Sequence, residues 1–91
     1  MGPIFASRDQ YEWDAIKAAT NLDKHGVSFE AVFRFDWSSA IEAEDIRHDY
    51  GEVRTQALGL IGDRYHVLVY AMRSDRIRVI SLRKANRRET P

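Results

Sequence analysis

The 91-residue chain contains no cysteine. That excludes a disulfide framework and a thiolate metal site, and it fits a reducing compartment. No apolar run approaches the roughly 20 residues needed to cross a bilayer, and the opening MGPIFASRDQ lacks the apolar centre of a signal peptide. A cytoplasmic, membrane-free protein is expected. There is no glycine-rich phosphate loop, no HExxH, no GxSxG and no metal-ligand cluster. The corresponding nucleotide hydrolases, zinc peptidases and serine esterases are therefore set aside, and no cofactor or metal is expected.

What is present suffices for a core: 44% hydrophobic residues, with two Trp, four Tyr and four Phe. The length suits one domain. Residues 1–10, with Pro3 and no periodic pattern, read as a loose lead-in. Residues 11–91 read as a single domain. The net charge is zero but unevenly spread. From Arg73 onward seven basic residues face two acidic ones, whereas residues 1–72 hold seven basic and twelve acidic. Such a split suits a basic face for nucleic acid or an acidic partner, and equally an acidic sheet edge paired with a basic helix.

Tyr11–Trp13 reads as a short strand. Asp14 caps a helix from Ala15 to His25, with an apolar stripe of Ala15, Ala18, Ala19 and Leu22 beside Ile16, and Gly26 stops it. Ser28 caps a second helix, about Phe29 to Phe35, burying Phe29, Val32 and Phe33. Asp36–Ser39 breaks the pattern and Ala40–Glu44 is a short strand. Val53–Ile61 is a strand weakened at Gly59, a candidate bulge. Tyr65–Met72 is continuously apolar and reads as central, and a short connection leads to the strand Arg76–Leu82. Its alternation puts Ile77, Val79 and Ser81 on one face, with Arg76, Arg78, Ile80 and Leu82 on the other. Residues 83–89, mostly good helix formers, follow as a basic exposed segment. The fold class is therefore α+β: two N-terminal helices packed on an antiparallel sheet of three to four strands, with a short basic C-terminal segment.

Arg, Lys, His and Tyr are the residues left to carry chemistry. They suit metal-independent cleavage of RNA. There a 2′-hydroxyl attacks the neighbouring phosphate, a base takes its proton, and cations stabilise the developing charge. Arg76 and Arg78 stand on a strand, which holds a phosphate contact firmly, although charges on an edge strand also simply prevent aggregation. His48 lies near Asp45 and Asp49 but in a polar loop, and His66 reads as a packed strand residue.

Two stretches resemble the BrnT family. One is Tyr11-Glu12-Trp13-Asp14 with Lys17, Asn21 and Lys24-His25-Gly26-Val27-Ser28-Phe29-Glu30. The other is Val69-Tyr70 followed by Arg76-Ile77-Arg78-Val79-Ile80-Ser81, Arg83-Lys84-Ala85, Arg87 and Glu89. Together they span roughly residues 11–89. The resemblance implies a RelE-like fold and a ribonuclease toxin of a type II toxin–antitoxin module that inhibits translation. It also implies a cognate BrnA-like antitoxin, a hetero-oligomer with it, and DNA contact only through it. In the family the basic tail runs on into a longer helix, whereas this sequence stops at Pro91, and Phe33–Ser39 departs from the family's acidic stretch.

On that basis His25 is a proton-transfer candidate and Lys24 a phosphate contact. Their plainer role is favourable charge at a helix C-terminus. Arg78 and Arg83 are candidate clamps on the scissile phosphate, and Arg54 is either a further catalytic-site residue or a surface strand residue. Arg76, Lys84 and Arg87 are candidate RNA contacts. Tyr70 either stacks on a base or fills the core, and Trp13 reads as core. Two other classes stand beside the nuclease: a non-catalytic module that pairs with an antitoxin-like protein, and a DNA-binding protein. The last lacks an evident recognition helix.

Overall fold

A computed structural model describes residues 7–47, 49 and 51–91. His48 of the polar loop, and most of the N-terminal lead-in, fall outside those residues. Ser7 caps a single 3-10 turn, Arg8–Gln10, which leads into β1, Tyr11–Glu12. The helix α1 follows, Ala15–His25. The Asp14 carboxylate accepts from the Lys17 N–H at 2.9 Å, and Gly26 closes the helix at φ 71°, its N–H donating to the Leu22 carbonyl.

Phe29–Arg34 is a 3-10 segment rather than the expected second helix. Six residues are too few to repay α-helix nucleation, and Phe35-Asp36-Trp37-Ser38 then alternates buried with exposed, as a strand does. That alternation starts β2, Phe35–Glu44, five residues earlier than read from the sequence. β3 is Thr55–Ile61, β4 Arg64–Arg73 and β5 Arg76–Lys84.

The sheet order is β1-β5-β4-β3-β2. β1 runs parallel to β5, pairing Tyr11 with Ile77, and every other pairing is antiparallel. The architecture is therefore one α-helix and a 3-10 segment on a five-stranded mixed sheet. The expected two helices on an antiparallel sheet of three to four strands is overturned. A two-residue strand carries too little periodicity to announce its partner, and only the return of the chain to β5 defines its direction. The basic segment is not helical either. Arg83 and Lys84 extend β5, and residues 86–89 form a turn in which Asn86 and Glu89 cap each other's backbone N–H.

Two irregularities set which side chains share a face. Four β2 residues, 37–40, oppose Gly59 alone. Gly59 itself keeps register with His66, so the bulge lies in its neighbour. A Cβ at Gly59 would lie 2.6 Å from the Phe35 ring, so the residue serves a close approach. Between β4 and β5, Val69 pairs with Ser81 but Tyr70 with Val79, leaving Ile80 over. That slip carries Leu82 onto the face of Ile77 and Val79, and Arg83 onto the face of Arg78. Leu82 is fully buried, against the alternation expected from the sequence.

The core fills the space between this face and the 3-10 segment. Phe29, Val32, Leu68, Ile77, Val79 and Leu82 are fully buried. Trp37 stands perpendicular to Tyr70 at 5.4 Å and donates its indole N–H to the Tyr11 hydroxyl at 2.8 Å. Trp13 packs edge-on to Phe29 as a core residue. The expected stripe of α1 is not buried. Ile16 is 77% and Leu22 51% exposed, and Asn21 is the residue the helix turns inward.

Candidate functional site

The basic end of β5 organises the site. β1 covers only Ile77 and Arg78 of its outer edge. Beyond them, Asn21 supplies what a neighbouring strand would. Its amide accepts from the Leu82 N–H at 3.1 Å and donates to the Leu82 carbonyl at 2.7 Å. The second amide hydrogen reaches the Val27 carbonyl at 3.0 Å. One buried side chain thereby satisfies both edge groups of Leu82 and ties the sheet to the chain leaving α1. Asn21 belongs to the opening motif, yet no role was assigned to it. The available signal is an amide one turn beyond Ala18, on the same side of the helix.

The clamp holds the C-terminal turn of α1 against β5. A recess of about 270 Å³ lies between them, lined by Lys17, Thr20, Asn21, Lys24, His25, Ile80 and Ser81. Partial burial, then the charges of Lys24 and Arg83, hold the His25 imidazole below its ordinary value. It is therefore neutral at pH 7. Lys17 and Lys24 make no ion pair among the described residues. Of the sequence-predicted set, Lys24, His25 and Arg83 are thus brought into mutual range.

The remaining arginines are already engaged. Arg83 is held by both Glu89 oxygens, at 2.8 and 2.7 Å, and Arg78 by Glu12 at 3.2 Å. The Glu89 carboxyl is pulled down to about 2 by Arg83 and by the Asn86 N–H. Arg76 donates to the Asp9 carbonyl at 3.1 Å and lies 3.9 Å from Glu12. Arg54 shares Glu52 with Arg73, at the far end of the β4–β5 hairpin from Arg83. A guanidinium held by a carboxylate keeps spare N–H donors, but much of its charge is already compensated. Arg87 is exposed in the last turn.

Tyr70 is 3% exposed and its hydroxyl donates to the Glu42 carboxylate. Burial and Glu42 raise its ionisation above the ordinary tyrosine value. It is a core residue and offers no face for stacking. Lys84 points to the helix-covered side of the sheet, opposite His66. His66 is buried, with its Nδ1 2.9 Å from the Arg64 carbonyl. Among the described residues, no group of His, Asp and Glu could hold a metal ion, and no helix is long and apolar enough to cross a membrane.

A family model described as ribonuclease toxin, BrnT, of type II toxin–antitoxin system matches residues 13–89. No curated protein matches the chain.

Proposed function

The chain belongs to the BrnT family of ribonuclease toxins from type II toxin–antitoxin systems, and from that premise we propose that it is an endoribonuclease acting in the cytoplasm. It cuts RNA without a metal, by attack of a 2′-hydroxyl on the adjacent phosphate, and so inhibits translation. Family membership implies an antitoxin partner. We take that partner to be BrnA-like, to form a hetero-oligomer with the toxin and to supply any DNA contact. Residues 11–91 act as one domain.

The observation supporting this reading is the run of cations that have no carboxylate partner among the described residues around the end of β5. Lys17 and Lys24 come from α1, Lys84 from the strand, and Arg87 and Arg88 from the last turn. Free ammonium and guanidinium groups on a half-open edge attract a phosphate backbone and track it irrespective of base. Lys24 and His25 contact that backbone. Arg78, Arg83, Arg76 and Arg54 add to the field while their carboxylates hold them. The cleavage step needs an imidazole that is unprotonated at working pH, and His25 and His66 both meet that condition.

The test incubates the purified chain with RNA in excess chelator. Endonucleolytic fragments ending in 2′,3′-cyclic phosphate are expected, with growth arrest and RNA decay on induced expression. Fragments that require a divalent ion would refute the metal-free mechanism. Intact RNA with a soluble, folded chain would refute the enzyme and leave the protein-pairing module.

A further inference from the structure

On the helix-covered side of the sheet, a cleft of about 680 Å³ opens between the 3-10 segment and the ends of β4 and β5. Arg8, Ser28, Glu30, Arg34, His66 and Lys84 line it. His66 and Lys84 are direct cross-strand partners. Across β3 the opposite position is Gly59, over which the Phe35 ring packs. Arg34 ends the 3-10 segment and Arg8 lies over the Phe33 ring at 4.6 Å. Among the described residues, Arg8, Arg34 and Lys84 form no ion pair. Three cations therefore share the cleft with one carboxylate, Glu30. The recess at His25 also combines a histidine with cations but is smaller, about 270 Å³.

The imidazole here is oriented by a backbone carbonyl. A carbonyl oxygen only accepts, so the contact with Arg64 fixes the proton on Nδ1 and leaves the Nε2 lone pair free. Burial above all, then the charges of Arg64, Lys84 and Arg34, keep the ring below its ordinary value, while the bond to the Arg64 carbonyl works the other way. The ring is unprotonated at pH 7. Gly26, the residue after His25, also lines this cleft. A strand lying on the Lys24–His25 recess therefore continues into it around the end of α1.

We propose that this cleft, rather than the His25 recess, takes the scissile RNA phosphodiester, with Arg34 and Lys84 on its phosphate oxygens and His66 as the catalytic base. The inference rests on the ribonuclease reading and names the site within it. His66 Nε2 accepts the proton of the 2′-hydroxyl. The 2′-oxygen bonds to phosphorus, the bond from phosphorus to the 5′-oxygen breaks, and a 2′,3′-cyclic phosphate forms. The departing 5′-oxygen takes a proton from water, and the imidazolium returns its own proton to solvent. Glu30 carries negative charge toward the cleft and so sets the side from which the phosphate does not enter.

Single-turnover cleavage of one RNA is measured from pH 5 to 9 for the wild type, His66→Ala, His25→Ala, Lys84→Ala and Arg34→Ala, each shown to be folded. His66→Ala is expected to slow cleavage at least about a hundredfold and to abolish the acid limb of the pH profile. His25→Ala, which removes a backbone contact, is expected to weaken RNA binding but to keep that limb in the single-turnover rate at saturating enzyme. Loss of the limb in His25→Ala with retention in His66→Ala would overturn the proposal.

Inorganic phosphate, titrated into the wild type while both histidine ring resonances are followed by NMR, tests the cleft without requiring activity. Movement of the His66 resonances, reduced in Lys84→Ala and Arg34→Ala, is expected. Movement confined to His25 would overturn the assignment. An inactive wild type whose His66 resonances still respond would sink the ribonuclease reading and leave the anion cleft standing.

Discussion

Asn21→Ala tests how the fold is closed at the β5 edge. The substitution removes three hydrogen bonds, two to Leu82 and one to the Val27 carbonyl. A buried backbone group left without a partner costs roughly 1–3 kcal/mol. The smaller side chain lets water reach part of that surface, so the losses do not sum fully. The expected destabilisation is about 3 kcal/mol. A domain of this size has roughly 5–13 kcal/mol in total, at about 0.05–0.15 kcal/mol per residue. The variant should therefore fold but unfold at a clearly lower urea midpoint with an unchanged slope. Hydrogen exchange supplies the local readout, because the Leu82 amide loses its acceptor and should exchange much faster than that of Leu68. Asn21→Asp should be at least as damaging, since its second oxygen would face the Leu82 and Val27 carbonyls. A midpoint shift worth less than about 0.5 kcal/mol, with Leu82 still protected, would refute the view that this amide replaces a strand.

Other perturbations are as direct. Tyr70→Phe should cost about 1–2 kcal/mol, by removing the donor to Glu42, and should leave RNA affinity unchanged; a loss of affinity in the folded variant would restore Tyr70 to the binding surface. Gly59→Ala should destabilise by about 2 kcal/mol, because the new Cβ meets the buried Phe35 ring, and Phe35→Leu in the same chain should recover part of the urea midpoint. Glu89 has a depressed carboxyl, lowered from 4.5 to about 2, so its pairing with Arg83 stabilises above about pH 4.5 and is lost as the pH falls toward 2. The pair is partly exposed, so the effect is at most about 1 kcal/mol. Melting temperature against pH should show this acid step in the wild type and not in Glu89→Gln.

Much of the fold was legible where a local signal is strong. Asp14 and Gly26 bound α1 because capping depends on one side chain or one φ angle. β4 declared itself through a continuous apolar run and occupies the middle of the sheet. The 3-10 segment was misread because a cap followed by phenylalanines at helical spacing looks alike over six residues in either helix type. α1 was given the wrong inner face because its alanines outnumber its one amide, while two backbone hydrogen-bonding groups on β5 decide what the helix must present.

The candidate site divides the same way. The residue types suited to RNA phosphates, and their concentration near the end of the chain, are properties of composition and order, and so are the two family motifs. Which of those residues stand together is not. The slip at Ile80 exchanges the faces of Leu82 and Arg83. Cross-strand register puts His66 beside Lys84, eighteen positions later. The carboxylates of Glu12, Glu52 and Glu89 engage Arg78, Arg54 and Arg83, leaving Lys84 and Arg34 free of ion pairs among the described residues. Local propensity is a sum over neighbours in sequence, so the chain by itself determined its helix, its central strand and its chemistry. Register and charge pairing depend on residues tens of positions apart, so only the tertiary structure decided which cations face their own carboxylates and which, among the described residues, do not.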